Sequence, residues 1–190
     1  MSTISIIGSG NMGTAIAAIV TAGGNSAEFV GRDTADRING DIVVLAVPHP
    51  ALDEIVATRG AELAGKIVVD ITNPLNFETF DSLVVPADSS RAAELQKALP
   101  ESRVLKAFNT NFAATLAAKT VGGLPTTVQI AGDDTDAKHA LAEVVRAGGL
   151  NAIDAGSLAR ARELEAVGFL QLTLAVQEKI NWTGGFAVAA

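Results

Sequence analysis

Apolar and polar positions along this chain follow two rhythms. Short apolar runs recur at 3–7, 27–30, 41–47, 66–71, 103–108, 126–131 and 150–154, and these read as strands. Between them lie segments of helical spacing at about 11–22, 50–58, 89–98, 111–119, 134–147 and 157–179. Asp41-Ile-Val-Val-Leu-Ala-Val47 and Lys66-Ile-Val-Val-Asp-Ile71 are nearly unbroken in apolar character. Strands of this kind are buried on both faces, as in a parallel sheet covered by helices on each side. The alternation of strand and helix implies the same layering. Ser89-Ser90 and Asp133-Asp134 stand where their side chains can cap the third and fifth helices. Only Gly31 to Gly40 separates the second strand from the third. A parallel crossover ordinarily takes a dozen or more residues. About ten extended residues reach roughly 30 Å, while the return past two strand spacings takes about 20 Å. A return without a helix is therefore feasible. The expected fold class is α/β: a doubly wound, mostly parallel sheet, trimmed by one helix–strand unit and ending in a long C-terminal helix. No repeat, low-complexity tract or linker divides the chain, so residues 1–190 read as one domain whose last helix and tail begin near 157.

The first strand runs directly into Gly8-Ser9-Gly10-Asn11-Met12-Gly13, and the small residues from Thr14 to Val20 continue it as a helix. Glycines at this spacing, between a strand and a helix, make a dinucleotide-binding turn of the Rossmann kind. Gly8 permits the tight turn, Gly10 lets a pyrophosphate approach the backbone, and Gly13 lets the helix pack close to the strand. Free N–H groups and the helix dipole at that N-terminus favour phosphate. The residues after the second strand bear on which dinucleotide binds. An NAD site places Asp or Glu there for the ribose 2′-OH. This chain has Gly31-Arg32, and a guanidinium suits a 2′-phosphate. Glu28 lies in the strand body, away from that position. The expectation is NADP(H) rather than NAD.

Composition narrows the class further. Of 190 residues, 48% are hydrophobic but only 4% aromatic, so the core is built from Ala, Val, Leu and Ile. The net charge of −7 disfavours a nucleic-acid partner or an anionic membrane surface. The absence of cysteine removes disulfides, thiolate metal sites and thiol catalysis together. His49 and His139 have no metal-ligand spacing, and no metal is expected. No apolar run reaches the length of a membrane span, and the first strand begins where a signal peptide would have to lie. A cytoplasmic protein is the expectation.

In open α/β sheets, ligands sit beyond the carboxyl ends of the strands. That rule selects three further segments. Ala46-Val47-Pro48-His49-Pro50 is a loop fixed by two prolines and suited to lie against the cofactor. Thr72-Asn73-Pro74 offers hydrogen-bonding groups beside a fixed turn, with turn chemistry alone as the alternative. Lys106-Ala107-Phe108-Asn109-Thr110-Asn111, with a small residue, an aromatic and two amides, could hold a nicotinamide through its carboxamide, or Phe108 could simply be core. With no tyrosine in the chain, a Tyr-Lys proton relay is excluded. Too little sequence follows residue 155 for an all-helical substrate domain. Asn181-Trp182-Thr183-Gly184-Gly185-Phe186 could line an acceptor pocket, cover a partner copy or serve as a structural tail.

Taken in order, these segments resemble a known family. Gly8 to Ile16 alone is similar to pyrroline-5-carboxylate reductases, whose helical dimerisation domain has no counterpart here. Ala46-Val-Pro48, Val69 to Leu75, Lys106-Ala-Phe-Asn-Thr110 and Asp154 to Glu165 together resemble the F420H2:NADP oxidoreductases. The same set resembles the N-terminal domain of the six-transmembrane metalloreductases. The resemblance spans nearly the whole chain. It implies a compact NADP(H)-binding domain that passes hydride to a small-molecule redox acceptor, either F420 or a flavin (FMN or FAD). It also implies a homodimer. By that resemblance Gly8 to Gly13 with Gly31-Arg32 bind NADP, and Asn73-Pro74 with Ala107-Phe108-Asn109 border the nicotinamide. Thr34 takes the place of the serine that often flanks the arginine. No catalytic residue is implied, because hydride passes between two rings and the protein's task is orientation. Two other functions stay open. One is a non-catalytic NADP-binding module that senses redox state. The other is a dehydrogenase of a small carbonyl, for which His49, Lys106 or Asp70 would have to donate the proton.

Overall fold

The computed structural model describes residues 2–31 and 36–189. The chain opens with β1 (Thr3–Ile7), α1 (Asn11–Ala22) and β2 (Ser26–Val30), then returns to β3 (Ile42–Leu45). A 3₁₀ turn at His49–Ala51 leads into α2 (Leu52–Leu63), followed by β4 (Ile67–Asp70), α3 (Arg91–Ala98) and β5 (Arg103–Lys106). Next come α4 (Ala113–Ala118), a small hairpin of β6 (Thr120–Val121) and β7 (Leu124–Pro125), and β8 (Thr127–Gly132). The chain continues through α5 (Thr135–Ala147), β9 (Asn151–Gly156), a 3₁₀ turn at Leu158–Arg160 and α6 (Ala161–Val176). Among the described residues no helix is long and apolar enough to cross a membrane.

Seven strands form one sheet in the order β2-β1-β3-β4-β5-β8-β9. β1 pairs with both β2 and β3, so the order reverses there, which is the switch point where Rossmann folds bind ligands. On the β2 side only two strands remain, consistent with the loss of one helix–strand unit. The first five strands are parallel. β8 then meets β5 antiparallel, through Leu105↔Gly132 and Lys106↔Ala131, and β9 follows β8 in parallel. The physical cause lies between β5 and β8. α4 has only six residues, and the hairpin turns the chain back at Gly122 and Gly123, whose φ values are +57° and +85°. The chain thus re-enters the sheet from the edge it left instead of crossing to the other. The hairpin was not among the expected elements, although Gly-Gly is its sequence signal.

The apolar strands divide their side chains between two cores. Ile42 and Val44 join Ile4, Ile6, Ile67 and Val69 beneath α1, α4 and α5. Val43 and Leu45 join Ile7, Val68 and Val104 beneath α2, α3 and the start of α6. This two-faced burial is why the strands read as unbroken apolar runs. Both expected caps form. Ser90 Oγ accepts from Ala93 N at 3.1 Å, and Asp134 Oδ1 accepts from Ala137 N at 2.7 Å. Helix α2 runs on through Gly60 to Leu63, past the expected end. The final helix is split into a 3₁₀ turn and α6, which stops at Val176.

Candidate functional site

The turn between β1 and α1 is built by its glycines. Gly8 has φ +110°, and a Cβ there would strike the carbonyl of Ala46 on the neighbouring strand end. Gly13 is buried, and a Cβ on it would land on the carbonyl oxygen of Gly8. Both glycines are therefore demanded by the protein's own packing. Gly10 is different. It occupies the N-cap position of α1, where no side chain caps the helix, and a Cβ on it would meet no atom within 4 Å. It faces a groove of about 380 Å³ bounded by Gly8, Ser9, Phe29, Val30, Gly31 and the loop Ala46-Val47-Pro48. The uncapped N-terminus of a twelve-residue helix adjoins this groove and supplies N–H donors to an anion.

The far wall of the groove is held from α2. Arg59 is 2% exposed and donates from Nη1 to the Gly31 carbonyl at 3.1 Å, and also to the Asp36 carbonyl. Its Nε and Nη2 donate to Glu62 at 3.0 and 3.1 Å. Asp36 Oδ2 in turn accepts from Gly31 N at 3.1 Å. Nothing in the helical pattern of residues 50–58 distinguished the next residue, Arg59, as this brace. Arg32 and Thr34, the expected 2′-phosphate ligands, lie outside the described residues. Glu28 serves the return segment. It accepts from Ser5 Oγ at 2.5 Å and from Asn39 N and Nδ2, both at 3.0 Å. Burial alone would raise the pKa of Glu28, but these hydrogen bonds outweigh it and hold the pKa below the usual value.

A second cavity, also of about 380 Å³, opens beyond the ends of β4 and β5. Asn11 and Met12 reach it from the start of α1, and Ile71, Asn73, Phe108 and Asn109 from the strand ends. Asn111, Phe112, Ala113 and Ala114 line it at the start of α4, and Leu172 and Trp182 close it from α6 and the tail. The Trp182 ring lies 5.0 Å from that of Phe112, and Trp182 is 52% exposed. Phe108 has φ +62°, a conformation that costs about 1–3 kcal/mol for a bulky residue. The residue that follows it is firmly held. Asn109 Nδ2 donates to Asn73 Oδ1 at 2.9 Å and to the Leu164 carbonyl at 2.8 Å, while Asn73 Nδ2 donates to the Asn109 carbonyl at 2.8 Å.

The expected site residues thus fall into three groups. Gly8, Ser9, Gly10, Gly31, Ala46, Val47 and Pro48 surround the first groove. Asn11, Met12, Asn73, Phe108 and Asn109 line the second cavity. Gly13, Thr72, Pro74 and Ala107 are buried behind these walls. His49 stands aside, stacked on Phe77 with ring centres 6.0 Å apart. Burial lowers the His49 pKa, so the ring is neutral near pH 7. Asn111, the second amide of the Lys106–Asn111 segment, lines the second cavity as well, whereas sequence reasoning did not single out Ile71, Phe112 or Leu172. They lie in segments that read as ordinary strand end or helix.

Lys106 and Asp70 are fully buried and bonded to each other at 2.7 Å, so neither reaches the cavity as a proton donor. Glu165 completes a triad with Lys106 at 2.8 Å. Burial raises the Glu165 pKa, and the Lys106 charge opposes that rise.

The residues present fit NADP(H). Gly10 leaves space for phosphate beside the N-terminus of α1. Among the described residues, Asn109 Oδ1 and Asn111 Oδ1 are buried acceptors without donors, on side chains that line the second cavity. Unmet buried acceptors are costly, and a carboxamide N–H bound against this wall would satisfy one.

No protein-family model matches the chain. The chain is 31% identical over 166 residues to the F420-dependent NADP reductase of Methanocaldococcus jannaschii, an overlap of 85% of this chain and 74% of that one. It is 42% identical over 106 residues to metalloreductase STEAP3 of Rattus norvegicus, covering 56% of this chain but 20% of the metalloreductase. In fold it matches a protein from Arthrobacter sp. FB24, solved as a candidate F420-dependent NADP reductase. The two superpose over the full length of both chains with a TM-score of 0.86 at 24% identity. The likeness to the reductase covers 85% of this chain and 74% of the relative, and on it the chain belongs to the F420-dependent NADP reductase family.

Proposed function

We propose that this protein transfers hydride between NADPH and a deazaflavin, F420, or a flavin-type ring. NADPH supplies the hydride when bound. The protein binds, aligns and keeps the gap dry. The groove at Gly10 takes the pyrophosphate end, and the Asn73–Asn109 pair borders the nicotinamide. Phe108, Phe112, Leu172 and Trp182 give the acceptor ring apolar walls and exclude water.

One observation carries this reading over reduction of a carbonyl: among the described residues, no titratable side chain lines the second cavity. A carbonyl oxygen must receive a proton as it is reduced. Hydride passing from the nicotinamide carbon to C5 of a deazaflavin or N5 of a flavin spreads its charge over the conjugated ring, whose N1 takes its proton from water, so the point of transfer itself needs only alignment. Mixing the protein with NADPH and, separately, F420, FMN or FAD tests the proposal through absorbance at the nicotinamide band. Loss that depends on F420 or a flavin is expected. Tight NADPH binding without turnover by any of them would overturn the reading and favour the redox-sensing module.

The same reading includes a homodimer. Leu170 and Val176 of α6 and Phe186 of the tail are exposed apolar side chains that a second copy would cover. Sedimentation at micromolar concentration is expected to give twice the chain mass, and a monomer would exclude it.

A further inference from the structure

We propose that Glu165, Lys106 and Asp70 are positioning residues for the nicotinamide end of the cofactor, acting through the Asn73–Asn109 pair. The inference rests on reading the second cavity as the nicotinamide site. None of the three charged groups lines that cavity. A buried ion cluster adds little net stability over well-packed apolar side chains, so its value here lies in what it fixes.

Lys106 Nζ has three donors and three acceptors around it. These are Asp70 Oδ2 at 2.7 Å, Glu165 Oε1 at 2.8 Å and the Thr72 carbonyl at 2.6 Å. Asp70 Oδ1 accepts from Thr72 N at 2.8 Å. Thr72 is thus gripped at both ends of its backbone, and Asn73 is the next residue.

Glu165 grips the other side. Its Oε2 accepts from Arg91 N at 3.0 Å and its Oε1 from Ala92 N at 3.3 Å, which ties α6 to the start of α3. The adjacent Leu164 carbonyl accepts from Asn109 Nδ2 at 2.8 Å. One turn on, Gly168 passes so close that a Cβ would collide with the Asn73 amide. The two asparagines are therefore clamped between α6 and the gripped Thr72. The ion triad sets both jaws of this clamp.

The test compares binding of NADPH with binding of 2′-phospho-ADP-ribose, which lacks the nicotinamide, by calorimetry. The wild-type protein is expected to bind NADPH more tightly by about threefold to tenfold, the worth of one or two hydrogen bonds. In Glu165→Gln that advantage should fall to near one, with affinity for the fragment unchanged. Asp70→Asn, which keeps an acceptor for Thr72 N, should behave alike and carries the test if Glu165→Gln folds poorly. Gly168→Ala disturbs Asn73 without touching a charge and should give the same loss. Folded charge variants that keep the wild-type advantage would overturn the proposal. So would an equal loss for both ligands, which marks a merely structural role. A wild-type protein that binds both ligands equally would refute the nicotinamide assignment itself.

Discussion

Gly10→Val is expected to abolish useful NADPH binding while leaving the protein folded. The backbone at Gly10 has φ −72° and ψ −173°, an extended conformation that valine adopts readily. The added side chain meets no protein atom at its root, because nothing lies within 4 Å of the Cβ position. Its methyl groups instead occupy the floor of the groove, where the pyrophosphate must approach α1. A loss of about 100-fold in affinity, near 3 kcal/mol, is the expected scale. The melting temperature should move by only a few degrees, since valine is merely a poorer N-cap than glycine. Gly8 and Gly13 would not give so clean a result, because substitution at either one breaks the turn itself. Calorimetric titration with NADPH, paired with a thermal melt, decides the matter. Wild-type affinity in a folded Gly10→Val protein would remove this groove from the cofactor site.

The second large effect is on stability. Lys106→Met leaves Asp70 and Glu165 buried, at 0% and 1% exposure, without their cation. Stranding a buried charge in this way costs about 3–5 kcal/mol, a large share of the roughly 5–15 kcal/mol that holds a domain folded. For a chain of this size the melting temperature should fall by about 6–20 °C. The loss should be partly reversible by acid. Burial raises the Glu165 pKa above its ordinary 4.5, and the Lys106 charge is the main influence opposing that rise. Without Lys106 the folded protein holds a proton on Glu165 at pH values where the unfolded chain does not. Stability then increases as pH falls toward 4.5 and declines as pH rises through the raised value. The exposed carboxylates work in the opposite sense. Hydrogen bonds from Arg59 and Lys138 lower the pKa of Glu62 and Asp154 respectively, so their contributions fade in acid. Thermal melts of the variant at pH 7 and near pH 5 read the difference. A wild-type melting temperature, or no recovery on mild acidification, would contradict the account.

Much of the fold was legible because its strands are buried on both faces and its turns carry glycine. The bounds of β1 and α1 match the residue pattern, and the caps at Ser90 and Asp134 sit where short polar side chains precede helices. The first groove was legible too, since its glycines are local to one turn. The direction of β8 was not, because it depends on where a hairpin of two-residue strands leaves the chain. The ion triad escaped for a related reason. Lys106 and Asp70 read as available proton donors, and only the fold brings Glu165 beside them and closes all three off from the cavity. Arg59 likewise looks like an ordinary surface cation until the fold sets the carbonyls of Gly31 and Asp36 against it.

The sequence holds one tryptophan and no tyrosine. That tryptophan is Trp182, half-exposed at the wall of the second cavity and packed on Phe112. Essentially all of the molecule's near-ultraviolet emission therefore originates at one address, beside the second cavity. The protein carries its own optical gauge there, so filling of that space can be followed by colour and intensity alone, with no dye and no engineered label.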